Sequence, residues 1–507
     1  MCAKTRPMKY LLKYSPEMTT KSRVVRTRFC KQLRKNLARI LKRQHGLVDR
    51  AAGATGQDAI SVEAHWDYLE IAIPSRHDAL LPRIEETLRW TPGICNFSRV
   101  FAYPLPELEE MLALVLEHYK ERVRGRTFAV RCRRSGRQHP FSSMDVERFL
   151  GAGLLKEAGA RGVNLDAPEV TVAVEIREQE LFLVEHSRPG IGGFPLGTQD
   201  SVISLLSGGF DSAVASYLAM KRGLRTHFLF FSLGGRAHEL AVKEVALYLW
   251  LKFGASHPVH FVTVPFEAVV AEILEKIENS QMGVILKRMM LRAANTVAAE
   301  LDVEALVTGE CVAQVSSQTL MNLAVIDEVS ERLVLRPLAM ADKQEIVDLA
   351  RRIGTGEFSA VIPEYCGVIS VKPTTRAKRP RIRREEANFD FTVLEQALAQ
   401  RQQLDIRGMQ QVGAEPAQRV PEFASPDASM VVIDIRHPDE EELAPLHLEG
   451  AEVLKIPFYR LDKSFAALPA GRQYLLYCAK GVMSRLHAAH LLEQGYNGIG
   501  VYHPGRT

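Results

Sequence analysis

Seven cysteines are scattered through 507 residues, with no CxxC pair and no Cys/His cluster among them. That excludes a disulfide-stapled secreted scaffold and a zinc-ribbon type of site, and no other metal-ligand cluster stands out. The sparse, odd count fits a reducing compartment, the cytoplasm. No apolar run reaches the ~18–20 residues needed to cross a bilayer, so no membrane is expected as a partner. Near the start, Tyr10-Leu11-Leu12 is cut off by Lys13, too short for the ~7–15-residue core of a signal peptide. No segment of 20–50 residues repeats, which excludes a solenoid. No GxxxxGK[ST] occurs, so any nucleotide chemistry does not use a Walker A loop.

Net charge is also scarce: 65 Lys+Arg against 60 Asp+Glu leave +5. The distribution is uneven, however. Residues 1–50 hold 15 Lys/Arg and 2 Asp/Glu, residues 120–137 hold 8 and 1, and residues 372–384 hold 7 and none. The remainder is therefore acidic, and basic clusters on an acidic body are the electrostatic footprint of a polyanion partner. With 46% hydrophobic and 25% charged residues, the chain has a globular composition long enough for about three or four domains.

Apolar residues Val25, Phe29, Leu33, Leu37, Ile40 and Leu41 recur at helical spacing, with Arg and Lys on the other faces, so 22–41 reads as a basic amphipathic helix. An alternating strand at 65–74 and a helix stopped by Pro92-Gly93 complete an α+β module. Residues 94–187 read as strand, helix (106–122), strand (127–133), helix (142–157) and two strands (170–176, 181–186). The Gly/Pro-rich 188–200 marks a boundary. Its Gly190-x-Gly192 has Pro195 where a third glycine should stand and no strand–turn–helix context, so it is not a dinucleotide site. Residues 201–372 alternate strands and helices, arguing for a doubly wound parallel sheet with ligands at the carboxyl ends of its strands. Residues 373–425 are polar and Pro-dotted, a linker with one helix at 393–402. The last 80 or so residues are again α/β.

Two motifs carry chemistry. Ser207-Gly208-Gly209-Phe210-Asp211-Ser212 follows the strand VISLL and opens a helix. Its glycines allow close backbone approach, while amides at the helix N-terminus and two serine hydroxyls face an anion. Cys478, in Tyr477-Cys478-Ala479-Lys480-Gly481, ends an apolar strand and opens a loop into a helix. Amides, the positive helix end, Lys480 and Arg485 there favour a thiolate and would cradle an anionic persulfide. Ile433-Asp434-Ile435-Arg436 follows a strand. Its near-copy Leu404-Asp405-Ile406-Arg407 lacks a preceding apolar strand and reads as coincidence. Val307-Thr308-Gly309-Glu310, continuing to Gln314 and Gln318, marks a second strand end approaching the nucleotide. Cys366 lies in a turn-like segment, where a lone cysteine is ordinarily inert packing.

The first motif resembles the PP-loop of ATP pyrophosphatases, which grip pyrophosphate and transfer AMP. The second, with its DxR, resembles the active loop of a rhodanese domain. Val130-Arg131-Cys132-Arg133-Arg134-Ser135-Gly136-Arg137 and Phe141-Ser142-Ser143-Met144-Asp145 resemble a THUMP RNA-binding domain, preceded by a ferredoxin-like domain. Together with LKRMMLRAA, PEYCGVIS and GVMSRL, they resemble one family over nearly the whole chain, the tRNA 4-thiouridine synthetases (ThiI), in the long form with a rhodanese extension. Met8 onward is similar to the family's usual N-terminus, leaving residues 1–7 as an extension or an early start.

The resemblance implies a multidomain α/β fold: an N-terminal ferredoxin-like domain (1–82), THUMP (83–187), a PP-loop ATP pyrophosphatase domain (188–372), a basic linker (373–425) and rhodanese (426–507). It implies ATP, with Mg2+, against Leu205, Leu206, Ser207, Gly208, Gly209, Phe210, Asp211, Ser212, Lys287, Gly309 and Gln318. Asp211 and Lys343 match activation residues, Cys478 the persulfide carrier and Cys366 its transient disulfide partner. The implied reaction activates a tRNA uridine at position eight by adenylation, and sulfur from a cysteine desulfurase then replaces its O4. A cellular thiol reductant resets the disulfide, and some members also supply sulfur, through a sulfur-carrier protein, to the thiazole of thiamine. Two rival readings remain at this point: an amidating PP-loop ligase using ammonia, which leaves Cys478 idle, and a sulfur relay without adenylation, which leaves Ser207–Ser212 idle.

Overall fold

The computed structural model of the protein describes all residues except 1–7, 54–58, 137–139, 234, 363–372, 411–419, 437–440, 443, 449, 479–481 and 505–507. The chain divides into two compact units, Met1–Pro195 and Leu196–Thr507.

The first unit is built on one eight-stranded sheet. Its strands run in the order Ser61–Ala64, Tyr68–Ile73, Met8–Tyr14, Ile94–Pro104, Glu180–Pro189, Val170–Arg177, Thr127–Ser135 and Gly162–Val163. The long strand Ile94–Pro104 pairs antiparallel with Met8–Tyr14 on one side and Glu180–Pro189 on the other. One sheet thus runs through both N-terminal modules, while two cores form on it. In one, the expected basic helix, observed at Arg23–His45, buries Phe29, Leu33, Leu37 and Leu41 beside Tyr10 and Leu12 of the sheet. In the other, Leu108–Val123 and Ser143–Glu157 bury Val115, Tyr119 and Leu150 with Phe128 and Val172. The second of these helices starts at a capping box in which Ser142 and Asp145 exchange hydrogen bonds, a device contributing about 1 kcal/mol.

The basic stretches of this unit are largely solvent-facing. Arg23, Arg28, Lys31, Lys35, Arg39, Lys42 and Arg43 are exposed on the first helix, as are Lys120, Arg122, Arg124, Arg126, Arg131, Arg133 and Arg134. Arg26 is buried instead, stacks on Trp66 and pairs with Asp67 at 2.9 Å, and the half-buried Arg34 pairs with Asp49 at 2.7 Å.

The second unit contains two sheets. The larger runs Leu333–Leu335, Ala305–Val307, Ser201–Leu205, Arg225–Ser232, His260–Pro265 and Gln402–Asp405. All neighbours are parallel except the last pair. Chain order reverses at Ser201–Leu205, whose neighbours are the next strand along the chain on one side and Ala305–Val307 on the other. That is a topological switch point, where the loops after adjacent strands diverge and leave a crevice. Residues 377–405 fall in the stretch read from its polarity as a linker, yet Ala377, Ile382, Phe389, Leu394 and Ala397 enter the core of this sheet. Helix Phe391–Ala399 leads into the antiparallel edge strand. The apolar residues are few but correctly spaced, and the charges are spent locally: Glu386 holds the buried Arg288 at 2.6 Å, and Arg379 reaches Glu328.

The smaller sheet is wholly parallel, in the order Glu422–Phe423, Ile499–Tyr502, Gln473–Tyr477, Met430–Asp434 and Glu452–Lys455. Helices Phe458–Phe465 and Val482–Glu493 accompany it. No described helix is long and apolar enough to cross a membrane.

Candidate active site

The crevice at the switch point is a cavity of about 280 Å³. Leu205, Leu206, Ser207 and Gly209 line it from the strand end and loop, and Asp211 and Ser212 from the first turn of helix Phe210–Lys221. Gly309 and Gln318 reach it from beyond the neighbouring strand, and Lys287 from helix Met282–Glu300. Nine residues assigned to ATP by resemblance are thereby brought to one cavity. Gly208 and Phe210 shape the loop without lining it.

The loop is set by its own side chains. Ser212 Oγ accepts from Ser207 N at 3.2 Å and donates to Gly209 O at 3.1 Å. Gly208 has φ +85°, and a Cβ there would stand 2.7 Å from Ile362 and 3.1 Å from Val242. Gly309 is required for a different reason: a Cβ would lie 2.6 Å from Asp211 C and 2.7 Å from Ser212 N, inside the backbone of the helix start. Asp211 is aimed by two partners, Lys343 Nζ on Oδ1 at 2.8 Å and Gln314 Nε2 on Oδ2 at 2.7 Å.

Across the cavity Glu310 organises the cations. It accepts from Lys287 Nζ at 2.6 Å, Arg336 Nε at 2.8 Å and Thr308 Oγ1 at 3.1 Å. Burial pushes its carboxyl up, but Lys287 and Arg336 together outweigh burial and hold it at about 2. The stabilisation this gives is complete above the ordinary glutamate range and is lost only as pH falls towards 2, so the cluster stays charged near neutrality. Gln314 Oε1 and Gln318 Oε1 are buried with no hydrogen-bond partner. Two orphan acceptors lining one cavity suit a ligand that brings donors.

Among the other lining residues, Glu310 and Gln314 stood in the second strand-end segment without an assigned role, and His238 was not singled out in the sequence. His238 Nε2 is 3.3 Å from Ser207 O, and its imidazole is held below the usual histidine range by burial, against the opposing effect of Ser207 O. Its signal in the sequence was its place on the helix that follows the strand Arg225–Ser232, another carboxyl strand end of the same sheet.

The second reactive group sits on the smaller sheet. Cys478 directly follows strand Gln473–Tyr477 and is 8% exposed. Its Sγ accepts from Ser484 N at 3.4 Å and lies 3.4 Å from Ser484 Oγ, in the first turn of the following helix. The DxR motif pins the residue before it. Ile435 N donates to Tyr477 O at 2.9 Å, and Arg436, paired with Asp434 where each side chain is 1% exposed, lies over the Tyr477 ring at 5.0 Å. The near-copy Asp405–Arg407 makes the same local chelate at 2.9 and 2.6 Å, but on an exposed edge strand with no thiol behind it. One expectation is corrected: Arg485 does not lend its charge to the thiol, because Glu422 binds it at 2.5 Å. Lys480 and Cys366 lie outside the described residues.

With this geometry in view, known proteins were compared. Residues 105–184 match the THUMP domain, 197–391 the thiamine biosynthesis protein (ThiI) family and 422–506 the rhodanese-like domain. A tRNA sulfurtransferase of Azotobacter vinelandii is 52% identical over 498 residues, covering 98% of this chain and 100% of that protein. One from Pseudomonas aeruginosa is 50% identical over 497 residues, with the same coverage. Among solved structures, a 4-thiouridine synthetase–RNA complex with bound ATP superposes with a TM-score of 0.67 at 27% identity, over 79% of this chain and 99% of that one. PH1313 from Pyrococcus horikoshii shares the fold at a TM-score of 0.51 and 17% identity, over 68% of this chain and 99% of that one. Matched along nearly their full length and domain for domain, the chain belongs to the tRNA sulfurtransferase family.

Proposed function

We propose that this protein uses ATP and persulfide sulfur to convert a uridine of tRNA, at position eight, to 4-thiouridine. The observation that carries the reading is the presence, in one compact unit, of a glycine-dependent anion cradle at a switch point and a thiol held by a helix N-terminus. Bound RNA and ATP in the solved relative support both substrates. We further propose that residues 1–82 and 83–187 form the RNA-handling half, 188–405 the adenylating domain, whose sheet ends on the strand Gln402–Asp405, and 422–507 the sulfur carrier.

The chemistry follows from the poor electrophilicity of a uridine C4 carbonyl. Its O4 attacks the α-phosphate of ATP and pyrophosphate leaves, so that C4 then carries AMP as a leaving group. The amides of 207–212 and Lys287 face the phosphates, and Lys343 and Gln314 keep Asp211 oriented towards the loop. Gln314 and Gln318 offer acceptors to donors of the nucleotide. Magnesium would screen the phosphate charge, with Asp211 as the carboxylate on the loop able to hold it.

Cys478 receives a sulfane sulfur from a cysteine desulfurase as a persulfide. Its terminal sulfur, delivered directly or as sulfide, displaces AMP at C4. Cys366 attacks the inner sulfur, leaving a Cys366–Cys478 disulfide that two electrons from a cellular thiol must reduce. That requirement fits a reducing compartment, which supports the cytoplasm as the proposed location. Transfer to a sulfur-carrier protein for thiazole would use the same persulfide.

The exposed basic residues of the first unit predict steeply salt-dependent tRNA binding. If about six of them meet phosphates, affinity falls about a thousandfold between 50 and 200 mM salt. A dissociation constant unchanged over that range would contradict the reading. For the reaction itself, tRNA incubated with the protein, ATP, cysteine and a desulfurase should yield 4-thiouridine on nucleoside mass spectrometry. Amination of the base with ammonia instead would overturn it.

A further inference from the structure

Cys478 and the Ser207–Ser212 loop belong to different sheets of one compact unit, and a buried carboxylate–imidazole contact joins a helix beside each. His487, on Val482–Glu493, places Nε2 2.6 Å from Oε1 of Glu244, on Gly235–Leu249. The two side chains are only 4% and 6% exposed.

Both helices reach the chemistry within about two turns of this contact. On the first, Val242 stands 3.1 Å from where a Gly208 Cβ would be, and His238 meets Ser207 O at 3.3 Å. On the second, Ser484 holds the Cys478 sulfur through its N–H. A continuous run of contacts therefore leads from Ser207 through Glu244 and His487 to Cys478. The same second helix also packs on the turn Gly408–Gln410.

A buried carboxylate set against an imidazole is a poor choice for stability alone, because burying polar groups costs desolvation and apolar residues would pack as well. What it supplies is register: a docking slipped by one turn would leave two buried polar groups without each other.

We infer that the Glu244–His487 pair is a positioning element, which holds the sulfur-carrying helix against the loop-bearing domain in the arrangement from which sulfur is delivered. The inference rests on the role proposed for Cys478. Glu244 and His487 do not line the cavity at Ser207–Ser212, and the Cys478 sulfur is held by Ser484, so the pair governs the transfer step and not the two half-reactions.

The test uses the full-length chain with Glu244→Gln, His487→Gln and the double variant, all of which nearly conserve side-chain volume. Three rates are followed: persulfide loading of Cys478 by a desulfurase, tRNA-dependent pyrophosphate release, and single-turnover sulfur transfer from preloaded protein. Misplacement by about 1 Å costs up to about a hundredfold. Each single variant should therefore slow transfer by about ten- to a hundredfold, with both half-reactions within about twofold of the parent and the double variant no slower than the worse single one. Unchanged transfer, losses that multiply in the double variant, or an equal loss in either half-reaction would each overturn the inference. Failure of the parent chain to load sulfur on Cys478 would instead remove the role of that cysteine, and the inference with it.

Discussion

Cys478→Ser should reduce sulfur transfer to tRNA to the assay background while tRNA-dependent pyrophosphate release continues at the parent rate. A serine hydroxyl cannot carry a sulfane sulfur, so the loss is chemical and absolute. Little else should change. The replacement is small and polar, and Ser484 N and Oγ, each 3.4 Å from the sulfur, need move only slightly to hydrogen-bond an oxygen. The flanking strand is held by the buried Asp434–Arg436 pair and by Ile435 N on Tyr477 O, none of which involves the thiol. Measuring both reactions on one preparation separates carrier loss from misfolding. Undiminished 4-thiouridine formation from cysteine and desulfurase would eliminate Cys478 as carrier.

Gly309→Ala should produce the complementary defect, a loss of adenylation of about a hundredfold or more with normal persulfide loading of Cys478. The added Cβ would sit 2.6 Å from Asp211 C and 2.7 Å from Ser212 N. Those are backbone atoms of a helix start, with no flexible side chain to turn aside, so the loop or the strand end must shift. Displacing the cradle by even part of an ångström misaligns the amides facing the phosphates and the Asp211 carboxylate held by Lys343 and Gln314. Asp211→Ala should show the same split without moving the backbone. Pyrophosphate release at the parent rate in Gly309→Ala would show that the close approach is not needed for activation.

These two defects could be formulated separately because their local signals are short. The Ser207–Ser212 loop is legible as six consecutive residues between an apolar strand and a helix, and Cys478 as a strand end before another helix. The helix Arg23–His45 was legible because apolar residues three and four apart mark one face. The local signals also reached their limit in places. Asp405-x-Arg407 and Asp434-x-Arg436 form the same chelate, and only burial, at 1% exposure for the latter pair, together with the contact to Tyr477, distinguishes the motif that supports the thiol. Polarity averaged over 373–425 concealed Ile382, Phe389 and Leu394, whose partners lie in another part of the chain. Arg485 looked available to Cys478 until Glu422, distant in sequence, claimed it.

The sequence alone therefore determined the reactive groups and their immediate settings, since glycine content, helix starts and hydrophobic period are properties of a few neighbouring residues. It also determined the concealed charge pattern behind the net +5, which places basic side chains on the surface of the first unit. Only the tertiary structure decided which groups meet. Strand order set Ala305–Val307 beside Ser201–Leu205, bringing Gly309 onto the helix start and Gln314 and Lys343 onto Asp211. It also carried Ile94–Pro104 through both N-terminal modules and placed His487 against Glu244. The reason is that pairing and packing energies depend on partners far away along the chain, and no short window of residues encodes where those partners will be.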